Sequence, residues 1–516
     1  MISPASHPIL SCAEARSWEH DLLGGNPGLE WAAMQRAGEA IAREMLEDCR
    51  EIGGLPPRAR VLVLAGKGHN GGDALLAAKS LLEKRAEARV TVLLCFGAQQ
   101  LRPLALRSYQ ELMQMAPDRA ETLTWPVLRT REDAFDCCLD GVFGFQFRAP
   151  MDEATVEIID WVNNHPRIRL RAAVDLPSGL AEEKSAAVCR ADFTYATGIV
   201  KRPVIDAANL GHVGRLRYLD LGFFNRGAPD SALRLLRAEV LQPLTQLRPP
   251  QSDKRTYGHL FVVGGSHSYP GSVLMAVQAA LRSGVGLVTA FVPSSLAPTY
   301  AAHFPEAMWV GWPETGGGGL SREGLGLLRE RLSRATALVI GPGLGAEPET
   351  IATIQEIVAR FPAPILLDAD ALRPEILTAA RNQRVVCTPH MGEFARMMAG
   401  ASLPVFFQNQ REAVVVLKGP LTGVIDREAT YYSLFGGPVL ARGGSGDVLA
   451  GLTGGLLAQR PEDARLAACR GAVWHGLAAD LLSRQHGQVA VQTTQLFDYL
   501  RPALQMSHAG DFPRSE

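Results

Sequence analysis

The sequence has almost no net charge and no long uninterrupted apolar segment. Its 52 Lys and Arg residues nearly balance 53 Asp and Glu residues, which leaves a formal net charge of −1. This balance gives no overall attraction to nucleic acid or to an acidic membrane surface. The longest run without a charged residue, 256–281, is interrupted by glycines and a proline, so it predicts a strand, a loop and a helix instead of a membrane span.

The first residues of the chain lack the pattern of a secretory signal. No basic segment there is followed by an apolar one. We therefore expect a cytoplasmic protein with no nucleic-acid partner and no membrane partner.

Cysteine motifs typical of metal sites or disulfide frameworks are also missing. The eight cysteines are scattered, with no C-x-x-C spacing and no Cys/His cluster. This pattern argues against a zinc site and against a disulfide framework. We expect most of these cysteines to be small apolar core residues.

Length and periodicity predict two α/β domains in series. At about 150 residues per domain, with α/β domains often larger, 516 residues suit two domains. Apolar strands alternate with amphipathic helices in both halves, which is typical of parallel sheets covered by helices on both faces. The predicted strands are 61–65, 90–96, 135–140, 172–175, 192–197, 259–263, 286–292, 337–340, 364–368, 384–388 and 413–417. The predicted helices are 73–84, 153–163, 447–459 and 464–483.

Glycine is abundant, at 51 residues, and clusters after apolar runs. In the first half, the strand 61–65 runs directly into GKGHNGGD at 66–73. Glycines at the end of a strand let backbone N–H groups approach an anion, and a helix N-terminus adds partial positive charge. The segment matches neither GxGxxG nor Walker A, so a ligand loop and a tight turn both remain open. The oxygens of Asn70 and Asp73 favour the ligand loop, because they could bind a cation or orient a hydroxyl group.

Two other predicted strands of this half end in an acidic residue. Asp140 begins DGVFGF, and Asp175 begins DLPSG, which contains Ser178. Because the carboxyl ends of parallel strands line the ligand crevice of an α/β sheet, we expect these side chains to meet at one site. For each aspartate alone, a helix cap or a turn is the alternative.

In the second half, the glycine run GGSGD at 443–447 opens a predicted helix. Backbone amides of such a run form an anion hole. An aspartate at the helix start can take a proton from a hydroxyl group aligned with a phosphoryl group. A simple helix cap is the alternative for Asp447, and Arg442 beside the run could add a phosphate contact.

Polar segments follow four other predicted strands of this half, at 341–345, 368–370, 388–393 and 418–422. We expect them at one sheet edge. The Lys and Thr of the last segment suit nucleotide phosphates, although an ordinary turn explains them equally well. Glu393 and Asp370 could help to hold Mg²⁺. For His390, a purely structural role is the alternative to a role at the site.

With GKGHNGGD, DGVFGFQFR and VDLPSGL in this order, roughly residues 9–223 resemble the YjeF N-terminal domain, the NAD(P)H-hydrate epimerase. This family equilibrates the two epimers of nicotinamide cofactors that have been hydrated at the ring. The resemblance implies a Rossmann-like three-layer αβα sandwich over 1–225, followed by a linker at 226–248. The family loop usually reads NNGGDG, so His69 and Ala74 are departures from it.

The resemblance also implies the roles of individual residues. Potassium would be held by Asn70, Asp140 and Ser178, whose oxygens suit a hard cation. Either Asp140 or Asp175 would be the acid/base of epimerisation. Substrate contacts would come from His69, Asn70, Gly71, Gly72, Asp73, Gly144, Phe145, Gln146, Phe147, Arg148, Ala149, Pro150 and Asp175.

Roughly residues 254–500 resemble the ribokinase-like superfamily and, within it, the NAD(P)H-hydrate dehydratase. The residues that carry the resemblance are KRTYGHLFVVGGSHSYPGS, GPGLG, LDADAL, TPHMGEF, VLKGPLT and GGSGDVLAG. The resemblance implies a ribokinase-like αβα domain over 249–505, with a tail at 506–516, and assembly into a homo-oligomer through this domain. It implies dehydration of the S-hydrates of NADH and NADPH, driven by ADP or ATP with Mg²⁺.

By this resemblance Asp447 would be the catalytic base. The substrate would contact Ser272, Gly343, His390 and Asp447, where Ser272 replaces the usual Ala. The nucleotide would contact Lys418, Gly419, Pro420, Leu421, Thr422, Gly444, Ser445 and Gly446, where Ser445 replaces the usual Thr.

The sequence thus predicts a bifunctional repair enzyme in which one domain supplies the epimer that the other consumes. Two alternatives remain at this stage. The second half could be a small-molecule kinase, and the first half could be a binding module without catalysis.

Overall fold

A computed structural model describes residues 3–182, 187–381 and 383–506. The chain divides into two compact units. The N-terminal unit comprises Pro8–Ser231 with Arg484–Gly487, and the C-terminal unit comprises Ala232–Ser483 with short pieces from both chain ends. Within the described residues, no helix is both long enough and apolar enough to cross a membrane.

The first half of the chain alternates strands with helices, as its periodicity predicts. Its strands are β1 (Ser6–Leu10), β2 (Arg60–Ala65), β3 (Arg89–Leu94), β4 (Ala120–Leu123), β5 (Cys137–Gly141), β6 (Arg171–Val174), β7 (Phe193–Thr197), β8 (Val200–Lys201) and β9 (Arg215–Leu219). Its helices are α1 (Cys12–Leu23), α2 (Pro27–Cys49), α3 (His69–Lys84), α4 (Pro103–Met115), α5 (Trp125–Leu128), α6 (Glu153–Asn164) and α7 (Leu210–Val213).

Seven of these strands form a parallel sheet in the order β4-β3-β2-β5-β6-β7-β9. Along β2, Val61 and Val63 join one apolar layer, whereas Leu62 and Leu64 join the layer on the opposite face. Both faces of the sheet are therefore buried, which is the three-layer αβα arrangement expected from the apolar strands. The polar residues that follow the strands collect at the carboxyl edge of this sheet.

The second half contains β10 (Leu233–Leu236), β11 (His259–Val263), β12 (Leu287–Pro293), β13 (Met308–Trp312), β14 (Ala337–Ile340), β15 (Ile365–Leu367), β16 (Val385–Cys387), β17 (Val414–Leu417), β18 (Thr422–Ile425) and β19 (Thr430–Ser433). Its helices are α8 (Pro270–Arg282), α9 (Ala297–His303), α10 (Leu325–Arg329), α11 (Pro348–Arg360), α12 (Pro374–Ala379), α13 (Met391–Met398), α14 (Leu403–Asn409), α15 (Ser445–Gln459), α16 (Ala464–His486) and α17 (Leu496–Met506).

The C-terminal unit is built on a mixed sheet in the order β13-β12-β11-β14-β15-β16-β17-β18-β19-β10. Strands β11 to β17 pair in parallel, β17, β18 and β19 pair antiparallel, and β10 lies parallel to β19. Along β11, Leu260 and Val262 face one apolar layer, and Phe261 and Val263 face the other. The predicted α/β class is confirmed for both halves.

The segment predicted as a linker, 226–248, is more ordered than a simple connection. It contains β10, in which Leu233 pairs with Thr430, and a 3-10 helix at Ala238–Thr245. Its polar sequence with short apolar pieces hides a four-residue strand. Most of the predicted C-terminal tail, from residue 507 on, lies outside the described residues.

All eight cysteines are unpaired thiols, and six of them are buried. This confirms that most are core residues. The sulfur atoms of Cys49 and Cys137 lie 3.8 Å apart.

Candidate functional site

The N-terminal unit has a cavity of about 540 Å³ at the carboxyl edge of its sheet. Its wall includes Asp175 after β6, Lys201 in β8, Glu19 in α1 and Asp73 in α3. Aromatic and basic side chains of the loop 143–148 complete the rim. A concave space with a few convergent charged groups is the usual form of a small-molecule site.

The centre of this cavity is an ion pair between Asp175 and Lys201. The Lys201 ammonium donates to Asp175 Oδ1 at 2.5 Å, and Lys201 is only 1% exposed. The same ammonium lies 4.7 Å from the centre of the Phe145 ring, where a cation is stabilised. The Asp175 backbone has a φ of 66°, which non-glycine residues seldom adopt. Such strained positions concentrate at functional sites.

Two further carboxyl groups approach this pair. Glu19 Oε1 lies 3.9 Å from Lys201 Nζ. Burial raises the pKa of Glu19 to about 7, partly opposed by the charge of Lys201. Burial, together with the charges of Asp175 and Glu19, raises the pKa of Asp73 well above its ordinary value. Asp73 Oδ1 is buried and accepts no hydrogen bond among the described residues. Three carboxyl groups therefore lie around the buried Lys201 ammonium, and Glu19, with a pKa of about 7, is partly protonated near neutral pH.

Asp140 lies at the end of β5 and is 1% exposed. It accepts from Ser178 Oγ at 2.5 Å, from Ser178 N at 2.7 Å and from Val142 N at 3.2 Å. Asn70 Nδ2 donates to Phe143 O at 2.8 Å, and Phe143 N donates to Ser178 Oγ at 2.8 Å. Burial raises the pKa of Asp140, although these hydrogen bonds oppose the shift. Asn70, Asp140 and Ser178 thus form one connected cluster of oxygen donors.

Helix α3 begins at His69, four residues earlier than its apolar pattern predicts. The segment 69–73 is therefore the first turn of a helix and not a free loop. Glycine is required there because a Cβ at Gly71 would lie 2.2 Å from Gly66 O. Ala74 is fully buried and faces Gly141, so its replacement of the usual glycine is accommodated.

The predicted substrate contacts of this half differ in their positions. Those on the cavity wall are His69, Asn70, Asp73, Gly144, Phe145, Gln146, Phe147, Arg148, Pro150 and Asp175. His69 is exposed, and its ring nitrogen lies 3.7 Å from Glu30 Oε2. Among the described residues, Gly71, Gly72 and Ala149 do not reach the wall.

In the C-terminal unit, Asp447 is the third residue of α15, the helix opened by the glycine run. Burial raises the pKa of Asp447 to about 7, and the charge of Asp368 adds to this effect. A hydrogen bond with the Ser272 side chain and the charge of Lys418 oppose it. The carboxyl group can therefore take or give a proton near neutral pH, which a simple helix cap does not require.

Lys418, after β17, joins the acidic residues of this sheet edge. Its ammonium donates to Asp368 Oδ1 at 3.2 Å and lies 3.7 Å from Glu393 Oε2. A Cβ at Gly446 would lie 3.1 Å from Lys418 Nζ, so the lysine also borders the glycine run. The structure thus brings together three segments that the sequence predicts at one edge.

His390, Gly343 and Asp370 are also at this edge. The His390 side chain, 60% exposed, caps α13 by accepting from Gly392 N at 3.0 Å. Gly343 has a φ of 68° and lies against Tyr269 and Ser272. Asp370 Oδ2 accepts from Gly345 N at 3.1 Å. Across the described chain, no group of three or more His, Cys, Asp or Glu side chains is arranged to hold a metal ion.

The Arg442 guanidinium donates to the carbonyl oxygens of Gln488, Val489 and Val491. These hydrogen bonds compete with the possible phosphate contact of Arg442. Gly444, with a φ of 87°, lets the run turn into α15.

Three side chains at these sites escaped the sequence analysis. Lys201 lies in the two-residue strand β8 and Glu19 in the middle of helix α1, and neither position carries a glycine cluster or an acidic strand end of the kind used to find the other residues. His475, in the middle of α16, is buried with its Nε2 atom 3.3 Å from Ser445 Oγ. Burial lowers the pKa of His475 to about 4, so its ring is neutral at physiological pH.

Two family models match the chain. One described as NAD(P)H-hydrate dehydratase matches residues 260–502, which include Asp447. The other, described as YjeF-related protein N-terminus, matches residues 31–203, which include Asp140, Asp175 and Lys201. Each match contains the predicted acidic residues of one site, although Glu19 lies before the N-terminal match.

Relatives match over nearly the whole chain. The bifunctional NAD(P)H-hydrate repair enzyme of Moorella thermoacetica is 32% identical over 497 residues, covering 90% of this chain and 91% of the relative. The enzyme of the same name from Escherichia coli K12 is 32% identical, covering 91% of this chain and 88% of the relative. Among solved structures, the ADP/ATP-dependent NAD(P)H-hydrate dehydratase of Bacillus subtilis with ATP and Mg²⁺ is 25% identical, covering 52% of this chain and 97% of that chain, with a TM-score of 0.43.

Proposed function

We propose below how each of the two sites works. The starting point is that this chain belongs to the family of bifunctional NAD(P)H-hydrate repair enzymes. The N-terminal unit is the epimerase and the C-terminal unit is the dehydratase. Neither alternative from the sequence is favoured, since relatives that carry both activities match over nine-tenths of the chain. What remains to be assigned is the role of each residue.

In the epimerase, Asp175 is the acid/base that moves protons at the hydrated carbon. The observation that carries this choice over Asp140 is access. Asp175 lines the cavity beside Lys201, whereas Asp140 is not part of the cavity wall and is hydrogen-bonded to Ser178 and Val142. A general acid/base must reach the proton it transfers.

Asp140, Asn70 and Ser178 hold K⁺. The support is that Asp140 is a buried carboxylate without a lysine or arginine among its described hydrogen-bond partners. A buried negative charge is costly unless a cation compensates for it. Carboxylate, amide and hydroxyl oxygens are the donors that a hard cation prefers. Bound K⁺ would supply this compensating charge beside Asp140.

In the dehydratase, Asp447 is the base that takes the proton from the ring hydroxyl of the S-hydrate. The hydroxyl oxygen then attacks the terminal phosphorus of ADP or ATP, and phosphate later leaves in place of hydroxide. A carboxyl group with a pKa of about 7 is poised for this task at neutral pH. Ser272, Gly343 and His390 surround the hydroxyl-bearing ring.

The glycine run and Lys418 bind the nucleotide. Gly444, Ser445 and Gly446 present backbone amides at the start of α15, where an anion is stabilised. The Lys418 ammonium borders Gly446, and residues 419–422, which directly follow it in the chain, would also contact the nucleotide. Mg²⁺ would come with the phosphates, and Glu393, whose Oε2 atom lies 3.7 Å from Lys418 Nζ, and Asp370 would help to hold it.

A pair of variants tests this division. With a mixture of hydrated NADH epimers and nucleotide, Asp175→Asn should convert only the S fraction to NADH. Asp447→Asn should form no NADH but should still interconvert the epimers, as followed by chromatography. If Asp175→Asn consumed both epimers at the wild-type rate, the assignment of Asp175 would be wrong.

A further inference from the structure

The Asp175–Lys201 pair has a third member that the proposed epimerase role does not use. Glu19, which lies in α1, has its Oε1 atom 3.9 Å from Lys201 Nζ. Asp175 Oδ1 lies 2.5 Å from the same nitrogen and comes from the end of β6. Both carboxyl groups line the same cavity. One buried lysine therefore bridges two carboxyl groups that reach the cavity from different elements.

The chemistry of epimerisation needs proton transfer on two faces of a ring. Hydration of reduced nicotinamide places the hydroxyl group on a carbon bonded to the ring nitrogen. The nitrogen lone pair can expel this hydroxyl once it is protonated, which leaves water and a planar iminium carbon. Water must then add to the opposite face and lose a proton. A single carboxyl group beside one face does not reach a hydroxyl group on the other.

We infer that Glu19 and Asp175 are two proton-transfer groups that serve opposite faces of the hydrated ring, with Lys201 as the bridge between them. This inference rests on the proposed epimerase function. In one direction, one carboxyl group protonates the departing hydroxyl, the C–O bond breaks, and the nitrogen lone pair forms the C=N bond. Water then forms a new C–O bond on the other face and gives its proton to the second carboxylate.

Each turnover exchanges the protonation states of the two carboxyl groups, so the proton must return. Lys201 can release a proton to one carboxylate as it takes one from the other, and no atom or charge is lost. Burial raises the pKa of Glu19 to about 7, so both of its protonation states are present near neutral pH. This agrees with a group that alternates between acid and base.

The two-group mechanism makes a prediction that a one-group mechanism does not. In Glu19→Gln, Asp175 can still expel water from its own face and return solvent water to the same face. In H₂¹⁸O, this variant should label one epimer of hydrated NADH while epimer interconversion falls at least about 100-fold. Asp175→Asn should show the mirror result, with label entering the other epimer. Mass spectrometry of the separated epimers measures the rates of labelling and of interconversion, from which the rates without enzyme are subtracted.

The control is Asp21→Asn, which removes an exposed carboxylate from the same helix. It should label and interconvert both epimers as the wild type does. Interconversion by Glu19→Gln at the wild-type rate would overturn the inference. So would the loss of both labelling and interconversion in a variant whose melting temperature is unchanged. If Glu19→Gln has a lower melting temperature than the wild type, the variant Glu19→Asp is used in its place. Its shorter carboxylate should restore part of the interconversion, and an inactive Glu19→Asp would overturn the inference. A wild type that interconverts no epimers would instead refute the proposed epimerase function.

Discussion

At the scale of single residues, chemistry depends on carboxyl groups at strand ends. Asp140, Asp175 and Asp368 were predictable because an acid after an apolar strand stands at the ligand edge of a parallel sheet. Lys201 and Glu19 were not, since their meeting with Asp175 depends on a long-range pairing of β1 with β8 in which Leu10 faces Lys201. Which aspartate lines the cavity was also beyond the sequence, because access depends on the packing around both.

The rate of dehydration should depend on the ionisation of Asp447. Its pKa of about 7 means that the base form is lost as the pH falls below neutrality. We expect kcat/KM for the S-hydrate to fall about tenfold per pH unit below this value. Assays from pH 5 to 9 with saturating nucleotide would measure it. A profile that is flat between pH 5 and 8 would show that Asp447 is not the base.

The same shift makes Asp447 costly for stability. Its pKa is higher in the folded state than the ordinary value of 3.8, so the folded protein binds more protons between about pH 4 and 7. The free energy of unfolding therefore falls as the pH rises through this window. Asp447→Asn should raise the melting temperature of the ligand-free protein at pH 8 but not at pH 4. The exposed Asp498→Asn is the control, and an equal effect of both variants would contradict the account.

Binding of K⁺ should depend on Asp140. Because an ion that binds only the folded state stabilises it, KCl should raise the melting temperature of the wild type above that in tetramethylammonium chloride. Asp140→Asn should abolish this difference and epimer interconversion, while dehydration of the S epimer persists. Equal melting temperatures of the wild type in both salts would argue against the site.

At the scale of elements, the strands predicted from apolar runs are confirmed to within about two residues at each end, as β11 and β14 show. A continuous apolar run followed by a polar residue carries that information, because these strands are buried on both faces. The hairpin strands β18 and β19 were missed because they are four residues long and rich in Thr, Ser and Gly. The apolar pattern places the start of helix α3 four residues too late, since the first turn of the helix is glycine-rich and lacks an apolar face.

The close contact of that first turn with Gly66, the residue that follows β2, gives a testable consequence. A Cβ at Gly71 would lie 2.2 Å from Gly66 O and 2.7 Å from Gly66 N. We expect Gly71→Ala to lower the free energy of unfolding by about 1–3 kcal/mol, because backbone must shift to admit the methyl group. Gly211→Ala is the matched control, since its Cβ would have no neighbour within 4 Å. Urea denaturation would compare them, and equal stabilities would show that α3 has room for a side chain.

At the scale of the whole molecule, two α/β units each carry one charged site at the carboxyl edge of a sheet. The order of motifs along the chain predicted this arrangement, because each set falls in a separate alternating half. The N-terminal unit can convert the epimer that the C-terminal unit cannot use, so the pair consumes both. Complete repair of a mixed substrate is the property that neither unit has alone.

The most direct test is the recovery of reduced-nicotinamide absorbance from chemically hydrated NADH, with Mg²⁺, K⁺ and either ADP or ATP. We predict rapid, nucleotide-dependent recovery of both epimers, with the preferred nucleotide evident from the rates. Rapid recovery of the S fraction alone, followed by the slow uncatalysed phase, would contradict the epimerase. No nucleotide-dependent recovery would contradict the whole account.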